Sequence, residues 1–429
     1  VAEIIPFCAL RYNADRYNRD LSPVVAPPYD VLSEEDKREL LEQCSENVVE
    51  IDLPHVPPKE AGPDEVYKSA AEQITRWRAA GVLAQEDKPA IYVYHQVYEH
   101  GGQQYTRKMF FARLRLEEFG KGSVFPHEQT FGGPKEDRLK LMKASKCQLS
   151  AVFGLYSDQA NEVSGLLKVD DQQPSATADL EGVANRLWVI QDDNILESVC
   201  QKMADKSVYI ADGHHRYGTA LMYRDALAEQ QGGLPDDHPA NFVLVGFCAM
   251  EDPGAIILPT HRVISGFGNN TTEDVLSALS KGMEMREIEG GGDPEELLPQ
   301  DSPDDLIVYS AEEGRMFAGR FTNRNILEQM AADHSEAWRN LDLAYLHRFL
   351  IDELVTKKVL GGNPPVVDYV KSGGSVLQKA RASNGIALIC KACTMEELRA
   401  VSQAGDLMPQ KSTYFYPKLA TGLVMNPLA

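Results

Sequence analysis

The stretch Val208-Tyr-Ile-Ala-Asp212-Gly213-His214-His215-Arg216 sets an acid, two imidazoles and a guanidinium where an apolar run meets a helical one. If the first run is a strand and Arg216 to Glu229 a helix, the first backbone N–H groups of that helix point outward beside these side chains. Such a turn suits a phosphate. Gly213 allows close backbone approach, Arg216 can hold oxygen atoms as a fork, and Asp212 can orient a histidine or hold a metal. A second group, Phe125-Pro-His127-Glu128-Gln-Thr130-Phe-Gly-Gly-Pro-Lys135-Glu136-Asp137-Arg138, gathers three acids, an imidazole, two cations and a hydroxyl around Gly-Gly-Pro. Glu128 beside His127 is suited to act as general base for a hydroxyl nucleophile, and Lys135 and Arg138 can neutralise phosphate charge.

Two further clusters are weaker. His261-Arg262 follows an apolar run and reads either as a binding pair or as a structural one. Lys411-Ser412-Thr413 joins a cation to two hydroxyls, as anion sites do, but lacks the glycine spacing of a Walker loop, and a closing core strand is the alternative. Cys390-Lys-Ala-Cys393 has no second cysteine pair or nearby histidine to complete a tetrahedral site, so both thiols are expected to finish a buried strand.

These groups need a frame. At 429 residues the chain is long enough for two to four domains, and 43% hydrophobic with 25% charged residues is the balance of a globular protein. No apolar run is long enough to span a bilayer. The N-terminal residues carry no secretion-signal pattern and the seven cysteines form no disulfide framework, so a cytoplasmic protein is expected. The 64 acidic side chains against 43 basic ones, a formal charge of −21, disfavour genomic DNA as a partner while permitting a local basic pocket for a small phosphate.

The pattern is mixed α/β. Ser33 with Asp36 opens a helix, Val66, Ala70, Ile74 and Trp77 mark another from Pro63 to Ala80, and Ile91 to Glu99 and Gln104 to Leu116 flank a His-Gly-Gly hairpin turn. Residues 151–156, 186–191, 207–211 and 242–250 read as strands, and 341–355 as a helix. A βα unit is expected over 386–404, opening its helix with a Thr394-Glu397 capping box. The polar stretch 170–179 reads as a loop or surface hairpin, and 290–305 as the most linker-like piece. Three regions follow: 1–168, an N-terminal α/β domain; 180–268, the phosphate-binding subdomain; and 269–429, a C-terminal α/β region.

Taken in order, Pro27-Pro28-Tyr29-Asp30-Val31, His127-Glu128, Lys135 to Arg138, Ala211 to Tyr217, Leu258 to Arg262 and Met408 to Lys418 resemble, over essentially the whole chain, the bacterial and archaeal family catalogued as domain of unknown function ten-fifteen. The Asp212-Gly-His-His-Arg216 turn is also similar to the phosphate-binding strand-turn-helix of the ParB/sulfiredoxin superfamily and its free-serine kinases, with His215 where those kinases carry a threonine. This second resemblance implies an α/β (α+β) fold of several mixed-sheet subdomains and a nucleotide-dependent phosphotransferase, with ATP the leading donor and L-serine the leading acceptor.

The implied roles are phosphate binding by Gly213, His214, His215, Arg216, Lys135 and Arg138, and catalysis by Glu128, His127 and Asp212. Magnesium would sit at Asp137 and Asp212. Substrate contacts would come from Tyr29, Asp30, His261, Arg262, Lys411, Ser412 and Thr413. A non-catalytic nucleotide-binding regulator and a hydrolase of a phosphorylated metabolite are the alternatives.

Overall fold

The computed structural model describes residues 2–58, 60–128, 132–290 and 293–428. Thr130, from the second motif, and Gly291 and Gly292, from the expected linker, lie outside them. The chain forms two units. The first comprises residues 1–256 and 417–429, and the second residues 257–416. The first unit is therefore discontinuous in sequence.

In the first unit, nine strands form one mixed sheet among the described residues. Its order is Val124–Phe125, Val208–Asp212, Val152–Tyr156, Phe242–Ala249, Gln103–Arg115, Ile91–His100, Val183–Ile190 and Ala176–Leu180, with Ile4–Ile5 paired to Gln103–Arg115. Residues from 1–168 and from 180–268 thus contribute to the same sheet. Two neighbouring pairs are parallel and the rest antiparallel. The hairpin follows its turn signal, with His100 opposite Gln103 across Gly101 and Gly102, both at positive φ. Of the polar stretch read as a loop or surface hairpin, residues 176–180 form the outer strand of a hairpin with Val183–Ile190.

The helix Asp64–Ala79 buries Tyr67, Ala70, Ile74 and Trp77 at i, i+3, i+7 and i+10, and packs on the helix Gly132–Ser145, which packs in turn on His214–Gln231. The apolar core joins Val93, Phe110, Val152, Val208, Val245 and Phe247 with Met142 of the second of these helices and Tyr217, Ala220 and Tyr223 of the third. Burial at about 25 cal/mol per Å² of apolar surface makes this shared core the main force holding the strand-turn-helix in place.

In the second unit, six antiparallel strands run in the order Met283–Ile288, Arg315–Phe321, Leu306–Ser310, Ile386–Cys390, His261–Ser265 and Val366–Val370. Residues 293–305 lie inside this unit as successive turns, so the chain crosses between units at 256–257 and 416–417 instead. The expected capping boxes form at Ser33/Asp36 and Thr394/Glu397. The helix expected over 341–355 is present as Asp342–Ala344 running into π-type turns over Tyr345–Val359. Among the described residues no helix is long and apolar enough to cross a membrane.

Candidate functional site

The strand Val208–Asp212 loses register with Val152–Tyr156 between Ile210 and Asp212, a bulge that redirects the chain just before the motif. Gly213 then takes φ 89°, and the helix His214–Gln231 begins at once. A Cβ on Gly213 would lie 3.0 Å from the Arg216 guanidinium carbon and 3.2 Å from the Val152 backbone, so both conformation and space call for glycine. Among the described residues no side chain caps this helix. Its first-turn N–H groups have no intrahelical acceptor, and they carry the positive end of the dipole.

Around that turn the charges are dense. Asp212 accepts from its neighbour Gly213 N–H at 2.8 Å and from Lys418 Nζ at 2.9 Å, and lies 3.6 Å from Arg216. Burial alone would raise the Asp212 carboxyl. The Lys418 ammonium and Arg216 guanidinium outweigh it and hold the group well below the usual carboxylate range. The buried Arg216 also donates to the Ala151 carbonyl. Lys135 crosses the second turn of the helix at Gly218, where a Cβ would sit 3.4 Å from its Nζ.

The two motif histidines meet edge to face, with ring centroids 4.6 Å apart. His127 Nδ1 lies 2.6 Å from the Ile210 carbonyl, which can only accept, so this nitrogen carries the proton. The His127 backbone N–H donates to His214 Nε2 at 3.2 Å, leaving the neutral His214 ring its Nδ1–H as a donor. Burial lowers the pKa of both, and for His214 the neighbouring His127 lowers it further. Glu128 is half-buried, with no hydrogen-bond partner among the described residues, and its charge acts on His127. His215 is half-buried on the same first turn.

Arg138 lies over the buried Tyr29 ring at 3.9 Å, donates through Nε to Asp137 at 2.6 Å and through Nη1 to the Asp52 carbonyl at 2.6 Å. Tyr67 donates to Asp137 at 2.7 Å, and Ser150 to both Asp52 oxygens at 2.8 Å. Arg138, Arg216, Asp52 and Ser150 line one small cavity. Burial pushes the Tyr29 hydroxyl up to about 12, and the half-buried Asp30 adds negative charge that acts on Tyr29 and Arg216.

Magnesium at Asp137 and Asp212 does not fit this donor set. Each carboxylate is taken up by the protein's own cations and donors, and among the described residues no three His, Cys, Asp or Glu side chains converge to hold a metal ion. Lys418 and Asp52 are the site residues that the motifs did not single out. The signal for Lys418 was present in the Pro417-Lys418 end of the C-terminal run, but Lys411 drew attention as the lysine preceding two hydroxyls.

The remaining candidates lie in the second unit. His261 and Arg262 are fully buried. His261 accepts from Cys390 N–H at 3.2 Å and faces Glu295 at 2.9 Å, while Arg262 donates to His347 Nε2 at 3.0 Å and to the carbonyls of Thr260, Gln410 and Lys411. Lys411 is exposed at φ 56°, Ser412 is buried and donates to the Pro409 carbonyl, and Thr413 is half-buried. Burial pushes the Cys390 thiol up to about 11 and Cys393 upward as well. Cys390→Ser combined with Cys393→Ser should therefore leave turnover within a few-fold at some cost in stability. Bound zinc in the parent protein, lost from a folded double variant, would contradict this.

Buried neutral histidines also set a pH dependence. Burial, aided by Lys108, pushes His95 down to about 4, and burial beside Arg262 pushes His347 down to about 3. Between about pH 6.5 and those values the unfolded chain takes up protons that the folded one refuses, so stability falls on acidification. The melting temperature should be lower at pH 5 than at pH 7, with His347→Gln, which keeps an acceptor for Arg262, removing part of the drop. An unchanged melting temperature over that range would rule the assignment out.

The fold and site define a mixed α/β protein with a cation-rich strand-turn-helix. The chain belongs to the family described as protein of unknown function (DUF1015), whose profile matches residues 4–344. No curated protein matches the sequence significantly. Similar solved structures include a free serine kinase variant in complex with ADP, at 13% identity, covering 70% of this chain and 89% of that one with a TM-score of 0.33. Others are a conserved hypothetical protein from Pyrococcus furiosus (13% identity, 70% and 92%, TM-score 0.32) and SbnI with a C-terminal truncation from Staphylococcus aureus (12% identity, 71% and 84%, TM-score 0.34).

Proposed function

We propose that the first unit binds a nucleotide by its phosphates at the Gly213 turn and transfers a phosphoryl group to a small hydroxylated metabolite, with L-serine the first acceptor to test and ATP the first donor. The observation that carries this reading is the uncapped N-terminus of an 18-residue helix with Arg216, Lys418 and Lys135 gathered around its first two turns. N–H dipoles and full charges held in a partly desolvated turn bind phosphate strongly because they need no reorganisation.

In this reading donor phosphate oxygens compete with Asp212 for Arg216 and Lys418, and Asp212 keeps both cations aimed until the nucleotide arrives. The His214 Nδ1–H adds a neutral donor. Glu128 takes the acceptor hydroxyl proton as the new O–P bond forms and the bond to the leaving nucleotide breaks. Lys135 offsets charge on the transferred oxygens, and Arg138, braced by Asp52 and Asp137, backs the turn. No step is assigned to a metal. One observation favours a second reading, a nucleotide-binding regulator without turnover: Asp137 and Asp212 both answer to protein cations.

Mass spectrometry of a metabolite pool incubated with the protein and nucleotide separates the possibilities. A phosphorylated product that requires one acceptor supports transfer. Nucleotide bound without product leaves the regulator, and phosphate released to water alone makes the site a hydrolase.

A further inference from the structure

The stretch 417–429 belongs to the first unit and carries Lys418 to within 2.9 Å of Asp212. We propose that Arg107, Gln96, Asn185 and Tyr94 form a buried positioning network that sets Lys418 against Asp212. The proposal rests on the phosphate reading for what Lys418 does, though not for how Lys418 is held.

Three of these residues form one row across the sheet. Arg107 on Gln103–Arg115 stands directly opposite Gln96 on Ile91–His100, and Gln96 stands opposite Asn185 on Val183–Ile190. All three are at most 1% exposed, at positions where apolar side chains are the default and a guanidinium is costly to desolvate. Gln96 Nε2 donates to Asn185 Oδ1 at 3.1 Å, Tyr94 donates to the same oxygen at 2.5 Å, and Arg107 donates to Gln96 Oε1. The row is therefore internally connected.

Asn185 Nδ2 donates to the Val183 and Ala178 carbonyls at 2.8 and 3.3 Å, which fixes that end of the row in the sheet, and the other three residues reach the returning segment. Arg107 donates to the Pro417 carbonyl, Gln96 Nε2 donates to the Lys418 carbonyl at 2.9 Å, and the Ala420 N–H donates to the Tyr94 hydroxyl at 3.3 Å. The backbone is gripped immediately before, at and after Lys418. A charge-assisted bond at the first of these points limits the directions in which the lysine stem can leave. The rest of the segment has its own anchors, Thr421 with Ala26, Met425 with Leu10 and Asn426 with Gln148, so loosening the network frees Lys418 without detaching the segment. These residues act through Lys418 and are positioning residues.

The test uses the full chain and two readouts. Amine labelling of Lys418 with an N-hydroxysuccinimide ester, quantified by peptide mass spectrometry, reports whether its ammonium is held. Calorimetry with ADP reports what the held ammonium does. Arg107→Met should speed Lys418 labelling at least about threefold and weaken ADP at least about fivefold, and Arg107→Met should weaken ADP no further when Lys418→Met is already present, because coupled residues are not additive. Arg107→Lys, which keeps the charge but places it on a shorter stem, should fall between. Tyr94→Phe removes a single hydroxyl and gives the same direction of change if Arg107→Met folds poorly. Unchanged Lys418 labelling in folded Arg107→Met or Tyr94→Phe overturns the proposal. Indifference of ADP affinity to Lys418→Met overturns the phosphate reading instead, and the labelling result then decides the positioning role by itself.

Discussion

Glu128→Gln is expected to lower turnover by about 10²–10⁴ while leaving nucleotide affinity close to that of the parent protein. The substitution keeps volume and polarity and deletes only the ability to accept a proton. Glu128 is half-buried beside His127, with no hydrogen-bond partner among the described residues, so the change breaks no described structural contact. Removing the carboxylate also removes a charge that raises His127, whose imidazole stays neutral either way because burial dominates. Steady-state kinetics with calorimetry on the same variant checks the prediction. Affinity and turnover falling together would make Glu128 a binding or folding residue, and unchanged turnover would remove it from the chemistry.

Arg216→Ala should weaken nucleotide binding by about ten- to hundredfold, the loss of a charge-assisted fork worth about 1.5–3 kcal/mol. Two consequences come from its other contacts. Asp212 keeps Lys418 but loses the second cation that helps hold it ionised, and the Ala151 carbonyl loses a donor. Some stability is therefore lost as well, and affinity must be measured in a variant shown to be folded. Arg216→Lys separates charge from geometry, because one ammonium cannot present two parallel donors. Unchanged affinity in folded Arg216→Ala would mean that nucleotide binds elsewhere.

Much of the frame was legible because its causes are local. The Ser33/Asp36 and Thr394/Glu397 boxes, the His-Gly-Gly hairpin and the apolar strand running through Asp212-Gly213 into a helix each depend on residues a few positions apart. What escaped depends on distant pairs. Lys418 and Asp212 are 206 positions apart, and the row from Arg107 through Gln96 to Asn185 exists only once three strands are in register. For the outer strand Ala176–Leu180 a polar composition leaves loop and hairpin equally open, and its second edge is met at Thr177 by residues 19–21, more than 150 positions away. His261 and Arg262 are a pair whose sequence leaves binding and structural roles equally open, and in the fold both side chains are buried with hydrogen bonds to neighbouring protein groups.

The break in the first unit has a consequence for biosynthesis. Residues 1–256 emerge from the ribosome with all nine strands of the sheet and the whole Gly213 turn, while residues 257–416 must be made before Lys418 appears. Domains tend to fold as units while the chain is still growing. During that interval Arg107 and Gln96 keep each other, Asn185 and the Phe153 ring but lack the Pro417 and Lys418 carbonyls, and Asp212 lacks the Lys418 ammonium. The nascent first unit is therefore expected to carry an open polar seam, which closes only when residues 417–429 supply the Pro417 and Lys418 carbonyls and give Asp212 a second cation.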